Sequence, residues 1–443
     1  MSATYTQAIR GSFFDITGPA QNPAQIVRQA RYLEDGLLLI NAGKILSLTP
    51  WHEGEKQLDD GQEFIDYRGK IIVPGFIDTH IHYPQTEIIG AYGEQLLEWL
   101  QRYTFPAESQ YGCPHHAARM SAFFLRQLLS NGTTTALVFG TVHPESVEAL
   151  FGAAQQLEMR LIAGKVMMDQ NAPDELIETP ADSYQRTREL ILRWHKRGRL
   201  GYALTPRFAP TSSPELLSAV QRLREEFPDV WMHTHLSENQ QEIAWVKSLY
   251  PEHNGYLDVY DHYHLTGRRS VFAHCVHLEE HEWDRLSHTR SSIAFCPTSN
   301  LFLGSGLFRL QTCWDKSVLM GMGTDVGAGT TFSMLKTLGE AYKVGQLQHY
   351  SLSACEALYH ATLGGARALD LDTVVGNFTS GKEADFVVLD PAATPLQRLR
   401  QANSQTIFER LFILMTLGDE RNIAATWVNG QCVWRQGDEE MAA

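Results

Sequence analysis

Two patterns of hydrophobic and polar positions divide this chain. Near both ends, short apolar runs are bounded by turn residues, which predicts a hairpin at 36–48, a strand at 384–390 and a second hairpin at 425–434. Between them, apolar strand-like segments alternate with segments of helical periodicity. This arrangement favours one small β domain built from both termini around an α/β domain, with two unrelated terminal tails as the alternative.

The central region contains eight candidate strands with helical material between them. Alternating β and α elements predict parallel strands, and eight such units favour a closed (β/α)8 TIM-type barrel. The rival is a doubly wound open sheet, but its glycine fingerprint is incomplete at 321–329, where Val326 occupies the third glycine position. We therefore predict an α/β fold, with a barrel over residues 71–373 and a small β-sandwich domain over 1–70 and 374–443. The candidate strands are 71–82, 133–140, 161–168, 200–208, 230–236, 271–278, 293–296 and 318–323.

Composition and net charge bear on which binding partners and which cellular compartment the sequence predicts. Of 443 residues, 43% are hydrophobic and 20% charged, as in globular proteins, and the formal charge of −14 argues against nucleic acid or an anionic membrane as the main partner. No apolar run approaches the ~20 residues of a membrane span, and the N-terminus lacks the form of a secretory signal. The six cysteines form no C-x-x-C pair and are interpreted as reduced thiols. These features predict a cytoplasmic protein.

Polar residues with ligand chemistry follow four of the candidate strands. Because the carboxyl ends of barrel strands share one face, these side chains are expected to meet there. Imidazole nitrogens and carboxylate oxygens are common metal ligands. Spacing alone does not choose between the histidines of the fifth or the sixth strand. The residues are His80 and His82 on strand one, His233, His235 and Glu238 on strand five, His274 and His277 on strand six, and Asp325 on strand eight.

These motifs resemble the amidohydrolase superfamily, and specifically its deaminase branch. The resemblance is carried by PGFIDTHIH at 74–82, by a histidine three residues before a glutamate, by the strand-eight aspartate and by GKEADFVVLD at 381–390. It implies a homodimer with one Zn²⁺ per chain, iron being the alternative metal. It assigns the ligands as His80, His82, His235, His274 and Asp325, and it gives His233 and His277 supporting or packing roles.

The fourth strand bears on the number of metal ions. Two-metal members of the superfamily bridge their ions with a carbamylated strand-four lysine or another carboxylate, whereas this strand ends in Thr205-Pro-Arg-Phe208. Lys165 belongs to strand three and is interpreted as structural. A single metal ion is therefore predicted.

The resemblance also implies the catalytic roles. A bound metal lowers the pKa of water from ~16 to ~7, which supplies a nucleophile at neutral pH. Asp325 takes up a proton from that water. Glu238 acts as a proton shuttle to a ring nitrogen and the departing amine, a role with a typical effect of ~10²–10⁴ on rate.

Three further residues bear on the substrate. Gln85 offers an amide, Arg207 a fork of donors for a carbonyl and Phe208 a stacking face, which together suit a flat heterocycle that carries a carbonyl. An ordinary ion pair between Arg207 and a surface acid is the alternative. The aromatic residues within 90–115 either cover the pocket or simply pack.

The resemblance extends to members that act on purines and implies hydrolytic deamination of guanine to xanthine and ammonia. It implies substrate contacts through His82, Gln85, Arg207, Phe208, His235, Glu238 and Asp325. The alternatives are a deaminase of an oxidised purine or pterin, a two-metal cyclic-amide hydrolase, and a metal-free scaffold without enzymatic activity.

Overall fold

The computed structural model describes residues 6–58, 63–93 and 95–437. The predicted segments 1–70, 90–115 and 374–443 therefore include residues 1–5, 59–62, 94 and 438–443, which lie outside the described part. The strands are β1 Gln7–Ile16, β2 Ala30–Asn41, β3 Lys44–Pro50, β4 Ile65–Pro74, β5 Phe76–His82, β6 Thr133–Phe139, β7 Arg160–Gly164, β8 Val166–Met167, β9 Leu200–Pro206, β10 Trp231–Leu236, β11 Ser270–His274, β12 Ser292–Phe295, β13 Leu319–Met322, β14 Phe386–Leu389, β15 Ile423–Val428 and β16 Gln431–Arg435.

Helices follow most of the barrel strands, and several begin with proline in the first turn, as at Pro144 and Pro214. No helix of the described residues is long and apolar enough to cross a membrane. The helices are α1 Pro23–Gln29, α2 Trp51–Gly54, α3 Leu96–Trp99, α4 Phe105–Glu108, α5 Pro114–Ser130, α6 Pro144–Gln156, α7 Pro180–Trp194, α8 Pro214–Glu226, α9 Gln240–Leu249, α10 Tyr256–His262, α11 Glu280–Thr289, α12 Pro297–Phe302, α13 Leu310–Asp315, α14 Met334–Leu347, α15 Ala354–Ala361, α16 Leu363–Ala368, α17 Pro395–Ala402 and α18 Ile407–Leu417.

Both ends of the chain build one mixed sheet. Its seven strands run in the order β16-β15-β14-β4-β1-β2-β3, so N-terminal and C-terminal strands meet where β14 pairs with β4. The β2–β3 and β15–β16 hairpins turn at Ala42-Gly43 and Asn429-Gly430, where all four residues have positive φ. The prediction of a small β domain assembled from both termini is confirmed, whereas the division at residues 70 and 373 stays a prediction.

Eight parallel strands form the barrel. Their order is β5-β6-β7-β9-β10-β11-β12-β13, and the short β8 pairs with β9. The ring is completed between β13 and β5 by the loop after β13. There the backbone N–H of Asp325 donates to the carbonyl oxygen of His80 at 2.9 Å, and that of His82 donates to Val326 at 2.9 Å. The predicted barrel is confirmed, with the carboxyl ends of its strands on one face.

The first barrel strand differs from the prediction. The apolar run Ile71–Val73 belongs to β4 of the terminal sheet and pairs with β14, and only Phe76–His82 enters the barrel. The change of sheet occurs at Pro74-Gly75. Proline has no N–H for a sheet ladder, and the N–H of Gly75 donates to Asp385 at 3.0 Å.

Glu383 joins the terminal sheet to the barrel. Its carboxylate accepts from Arg160 at 2.6 and 2.8 Å and from Arg199 at 2.6 and 2.9 Å, and Lys44 of β3 lies 3.2 Å away. The side chain is only 6% exposed. Burial alone raises the pKa of this carboxyl group, but the arginines outweigh that effect and hold it at about 2.

Glu383→Gln is expected to lower the free energy of unfolding at pH 7 by about 3 kcal/mol. It leaves the guanidinium group of Arg160 without a carboxylate and removes one of the two carboxylates that pair with Arg199, the other being Asp385. Since the folded pKa lies below the unfolded one, the contribution is complete above about pH 4.5 and is lost as pH falls toward 2. Denaturant midpoints of wild type and variant should therefore converge across that range. The exposed Glu53→Gln serves as the control. A difference between the two denaturant midpoints that is absent at pH 7, or that does not change with pH, would contradict the stabilising role of the Glu383 ion pairs.

Candidate metal and substrate site

Candidate ligand side chains from four strand ends meet at the carboxyl face of the barrel. The Nε2 atom of His82 lies 3.3 Å from that of His80 and 3.2 Å from that of His235. Asp325 adds Oδ1 at 3.1 Å from His80 Nε2 and Oδ2 at 3.7 Å from His274 Nε2. Ligands bound about 2.0–2.2 Å from one zinc-sized ion lie roughly 3–3.6 Å apart. The spacing therefore fits a single metal ion.

Hydrogen bonds hold the second nitrogen of three of these rings. His80 Nδ1 lies 2.7 Å from Nε2 of His233. His235 Nδ1 donates at 2.7 Å to the carbonyl oxygen of Arg207, the residue that follows β9. His274 Nδ1 donates to Oδ1 of Asn300 at 2.8 Å. Such partners fix the tautomer and the orientation of a ligating ring. Position and contact agree with the supporting role predicted for His233.

The protonation of the rings also suits metal binding. Burial lowers the pKa of His80, His82 and His235 well below the ordinary value, so these imidazoles are neutral, as ligation requires. Burial acts in the same direction on His274, but nearby carboxylates outweigh it and raise its pKa. The cluster thus combines neutral nitrogen donors with carboxylate charge.

Asp325 sits on an anchored turn after β13. Asp78 of β5 accepts a hydrogen bond from the backbone N–H of Thr324 at 3.1 Å and another from its hydroxyl group. Asp325 and His274 have φ values of 51° and 72°, in the left-handed region. Such conformations cost non-glycine residues of order 1–3 kcal/mol and concentrate at functional sites. The fold therefore holds two candidate ligands in strained backbone.

Glu238 enters the same site from the loop after β10. Glu242, in the first turn of α9, accepts a hydrogen bond from the backbone N–H of Glu238 at 2.9 Å and fixes that loop. The carboxylate of Glu238 lies 3.4 Å from Nε2 of His274 and accepts from the hydroxyl group of Ser305 at 3.1 Å. Burial raises the pKa of Glu238 to about 7. This carboxyl group can therefore hold or release a proton near neutrality.

Arg207 and Gln85 share a partner that sequence analysis missed. Nη1 of Arg207 donates to the two carboxylate oxygens of Glu108 at 3.0 and 2.8 Å, and Nε2 of Gln85 lies 3.4 Å from Oε1 of Glu108. All three side chains are buried. An ion pair between Arg207 and a surface acid was the alternative that the sequence left open. The acid is instead a buried one beside the cavity.

One cavity connects these groups, and part of its space is open to solvent. Its polar lining includes Gln85 and Arg207 as well as Glu238 and members of the histidine cluster. Its apolar lining comes from Phe208 and from residues 96–100, which contribute Leu96, Trp99 and Leu100. Of the aromatic residues within 90–115, Trp99 borders the cavity, and whether the segment covers the cavity stays a prediction.

Cys296 is a second residue that sequence analysis missed. It directly follows β12, and its sulfur lies in a group with ligand atoms of His80, His274 and Asp325, all within 4.8 Å of one another. Burial raises the pKa of the thiol well above its ordinary value, which disfavours the thiolate form that binds metals. The sequence feature that could have identified Cys296 is its place at the end of the candidate strand 293–296.

His277 and Lys165 lie apart from the cluster. His277 Nε2 lies 2.7 Å from the carbonyl oxygen of Ser305, a contact that packs the loop next to Glu238. Lys165 pairs with the buried Glu178, which Arg186 also contacts at 2.9 Å. His277 belongs to neither group with metal-ligand geometry among the described residues.

The family model described as the amidohydrolase family matches residues 71–433. The chain belongs to the amidohydrolase family. This amidohydrolase is 64% identical over 437 residues to the guanine deaminase of Escherichia coli K12, covering 98% of this chain and 100% of that one. The solved structure of E. coli guanine deaminase resembles it with a TM-score of 0.96, covering 98% and 100% of the two chains. A crystal structure of C. acetobutylicum guanine deaminase with guanine bound in its active site is 30% identical, with a TM-score of 0.87 and coverage of 97% and 100%.

Proposed function

We propose that this amidohydrolase catalyses the reaction of guanine with water to give xanthine and ammonia. The observation that carries the proposal is the single cavity, which joins a histidine–aspartate cluster and a buried glutamate to an arginine and an amide suited to a purine carbonyl edge. Full-length similarity to relatives named guanine deaminase supports the same reaction.

The proposed cofactor is one zinc ion, with iron as the alternative. His80, His82, His235, His274 and Asp325 would hold it, and their nitrogen-rich donor set suits zinc. When bound, the ion supplies the Lewis acidity that makes water nucleophilic at neutral pH.

Glu238 and Asp325 are the proposed proton carriers. Asp325 accepts a proton from the attacking water. One proton of that water passes through Glu238 to N3 of guanine as C2 is attacked. The second, which Asp325 takes up, passes through Glu238 to the amino group that leaves as ammonia. Both carboxyl groups border the cavity. Burial raises the pKa of Glu238 to about 7, so this group can exchange protons close to neutral pH, and burial also raises the pKa of Asp325.

The remaining contacts select the ring. Arg207 donates to O6, and Gln85 and the backbone of Phe208 bind other atoms of the ring edge. His82 and His235, which also line the cavity, lie against the reacting end. Adenine lacks the O6 acceptor and is disfavoured. An oxidised purine or a pterin keeps a carbonyl and is therefore the competing class of substrate.

Turnover of guanine tests the proposal directly. Metal-replete protein is incubated with guanine while xanthine is followed by its ultraviolet spectrum and ammonia is measured in parallel. The two products are expected in equal amounts, with adenine unchanged. No turnover of guanine, or faster turnover of a pterin, would overturn the assignment and leave the fold unaffected.

Arg207→Ala is expected to lower kcat/KM for guanine by about 10²-fold, because a hydrogen bond from a charged donor contributes about 1.5–3 kcal/mol. Metal content should stay that of the wild type, since Arg207 contributes only a backbone carbonyl contact to the cluster. Arg188→Ala, which removes a surface pair with Glu226, is the matched control. Unchanged kinetics in Arg207→Ala would refute its role with substrate.

Two further features are proposed from the family resemblance and the sequence. We propose that the chain forms a homodimer and acts in the cytoplasm. Light scattering on the purified protein tests the first, with a mass near twice 49.9 kDa expected. Fractionation of cells tests the second.

A further inference from the structure

Glu108 has a position that the proposed chemistry does not explain. It ends α4, its side chain is fully buried, and it is not itself part of the cavity lining. Its two oxygens accept from Nη1 of Arg207 at 3.0 and 2.8 Å. Among the contacts of the described residues, the guanidinium uses Nη1 alone, so Nε and Nη2 remain for a ligand in the cavity.

The same short helix holds the guanidinium in a second way. The ring of Phe105, three residues before Glu108, lies 5.4 Å from the guanidinium carbon of Arg207. A cation over an aromatic face is attracted to it. Glu108 and Phe105 of the same helix therefore both contact the guanidinium group of Arg207.

Gln85 also contacts the same carboxylate. Its Nε2 lies 3.4 Å from Oε1 of Glu108, and its Oε1 accepts from the backbone N–H of Gly327 at 3.3 Å. This sets which side of the amide carries the donor and which the acceptor. One buried glutamate thus contacts both polar groups that face the ring edge of a substrate.

The opposite charges of Arg207 and Glu108 determine whether the cavity favours a neutral or an anionic ligand. A buried guanidinium without a counter-ion is strongly unfavourable and would attract anions into the cavity. With Glu108 beside it, the pair is neutral overall, and Arg207 can act on a neutral ligand through directed hydrogen bonds. Such an arrangement favours a neutral, carbonyl-bearing ring.

We propose that Glu108 is a positioning residue that sets specificity for the C6 carbonyl of the substrate by orienting Arg207. Gln85, 3.4 Å from Glu108, keeps its contact with the backbone of Gly327 when Glu108 is changed. The proposal rests on the proposed deamination of guanine. It predicts that loss of Glu108 weakens recognition of the carbonyl edge and leaves the chemistry at C2 largely intact.

The test compares Glu108→Gln with wild type, using kcat and KM for guanine and the inhibition constant of 2-aminopurine. That compound keeps the ring and the C2 amino group but lacks the C6 carbonyl. In Glu108→Gln, kcat/KM for guanine is expected to fall about 10- to 100-fold, carried by KM, as misplaced binding groups commonly cause. The inhibition constant of 2-aminopurine should change less than about 3-fold, and metal content should not change.

Two further variants keep the test decisive. Glu108→Asp retains the charge on a shorter side chain. It should also lower kcat/KM for guanine more than it changes the inhibition constant of 2-aminopurine, but by a smaller factor than Glu108→Gln. It serves as the test if Glu108→Gln does not fold. The double variant of Glu108→Gln with Arg207→Ala should lose no more than Arg207→Ala alone, because Glu108 acts through Arg207. Glu87→Gln, which removes partly exposed pairs with His116 and Arg119, is the matched control.

Equal losses for guanine and 2-aminopurine, unchanged kinetics in both Glu108 variants, or additive losses in the double variant would each overturn the proposal. Failure of wild-type protein to turn over guanine would instead contradict the proposed function, so the two failures are distinguishable.

Discussion

Glu238→Gln is expected to lower kcat for guanine by about 10²–10⁴-fold, the usual contribution of a positioned proton carrier. Glutamine keeps the shape of the side chain and an acceptor for the hydroxyl group of Ser305, 3.1 Å away in the wild type. It cannot deliver a proton to N3 or to the departing amine. The loss should therefore appear in kcat, measured by the formation of xanthine under saturating guanine.

Metal content separates this effect from damage to the site. Glu238 belongs to neither metal-ligand group found among the described residues, so the variant should bind as much metal as wild type. Exposed Glu252→Gln provides a control for the loss of one negative charge. A kcat within about 3-fold of wild type would exclude Glu238 as the proton carrier, and loss of the metal would identify it as a ligand instead.

The geometry of the barrel explains why much of this site is visible in the sequence. Parallel strands place their carboxyl ends on one face, so a polar residue that follows an apolar strand is expected near others of its kind. His80, His235 and His274 lie on their strands and Asp325 lies three residues after its strand. Asp325 lies 3.1 Å from His80 and 3.7 Å from His274, and the rings of His80 and His235 are 4.9 Å apart. Their place at the strand ends predicted that they meet, whereas the choice of His235 over His233 and of His274 over His277 came from the family resemblance.

The first barrel strand shows a limit of prediction from the pattern of apolar residues. An apolar run that continues through Pro74-Gly75 is the same in sequence whether it forms one strand or two. The structure divides it at Pro74-Gly75, and Gly75 passes so close to Thr134 that a Cβ atom would collide with that side chain. The segment before it pairs with β14, a strand more than 300 residues later. Pairing over such a separation has no local signal.

Glu108 escaped prediction for a related reason. It lies 99 residues from Arg207 in a series of short helical turns, α3 to α4, without a strong hydrophobic period. A single glutamate in such a segment resembles any solvated acid. Only the folded chain shows that it is buried against a guanidinium group, so the charge on Arg207 could be predicted but its partner could not.

His80→Asn is expected to reduce bound metal from near one ion per chain to near zero. Nε2 of His80 lies 3.1 Å from Asp325 Oδ1 and 3.3 Å from His82 Nε2, so the ring is central to the cluster, and asparagine is too short to replace it. Guanine turnover should fall by at least about 10³-fold, because the unassisted pKa of water is ~16. Elemental analysis and xanthine formation measure the two effects, with the exposed His115→Asn as control.

The variant is expected to fold, because the backbone of His80 makes a hydrogen bond that does not depend on the imidazole ring. Its carbonyl oxygen accepts from the N–H of Asp325 at 2.9 Å and helps to close the barrel, a bond that survives loss of the ring. A wild-type content near two ions would favour a two-metal cyclic-amide hydrolase, and a content near zero a metal-free scaffold. One ion per chain in the wild type that persists in His80→Asn would place the metal elsewhere. One ion that disappears with the imidazole, from a chain that stays folded, ties the activity to this cluster.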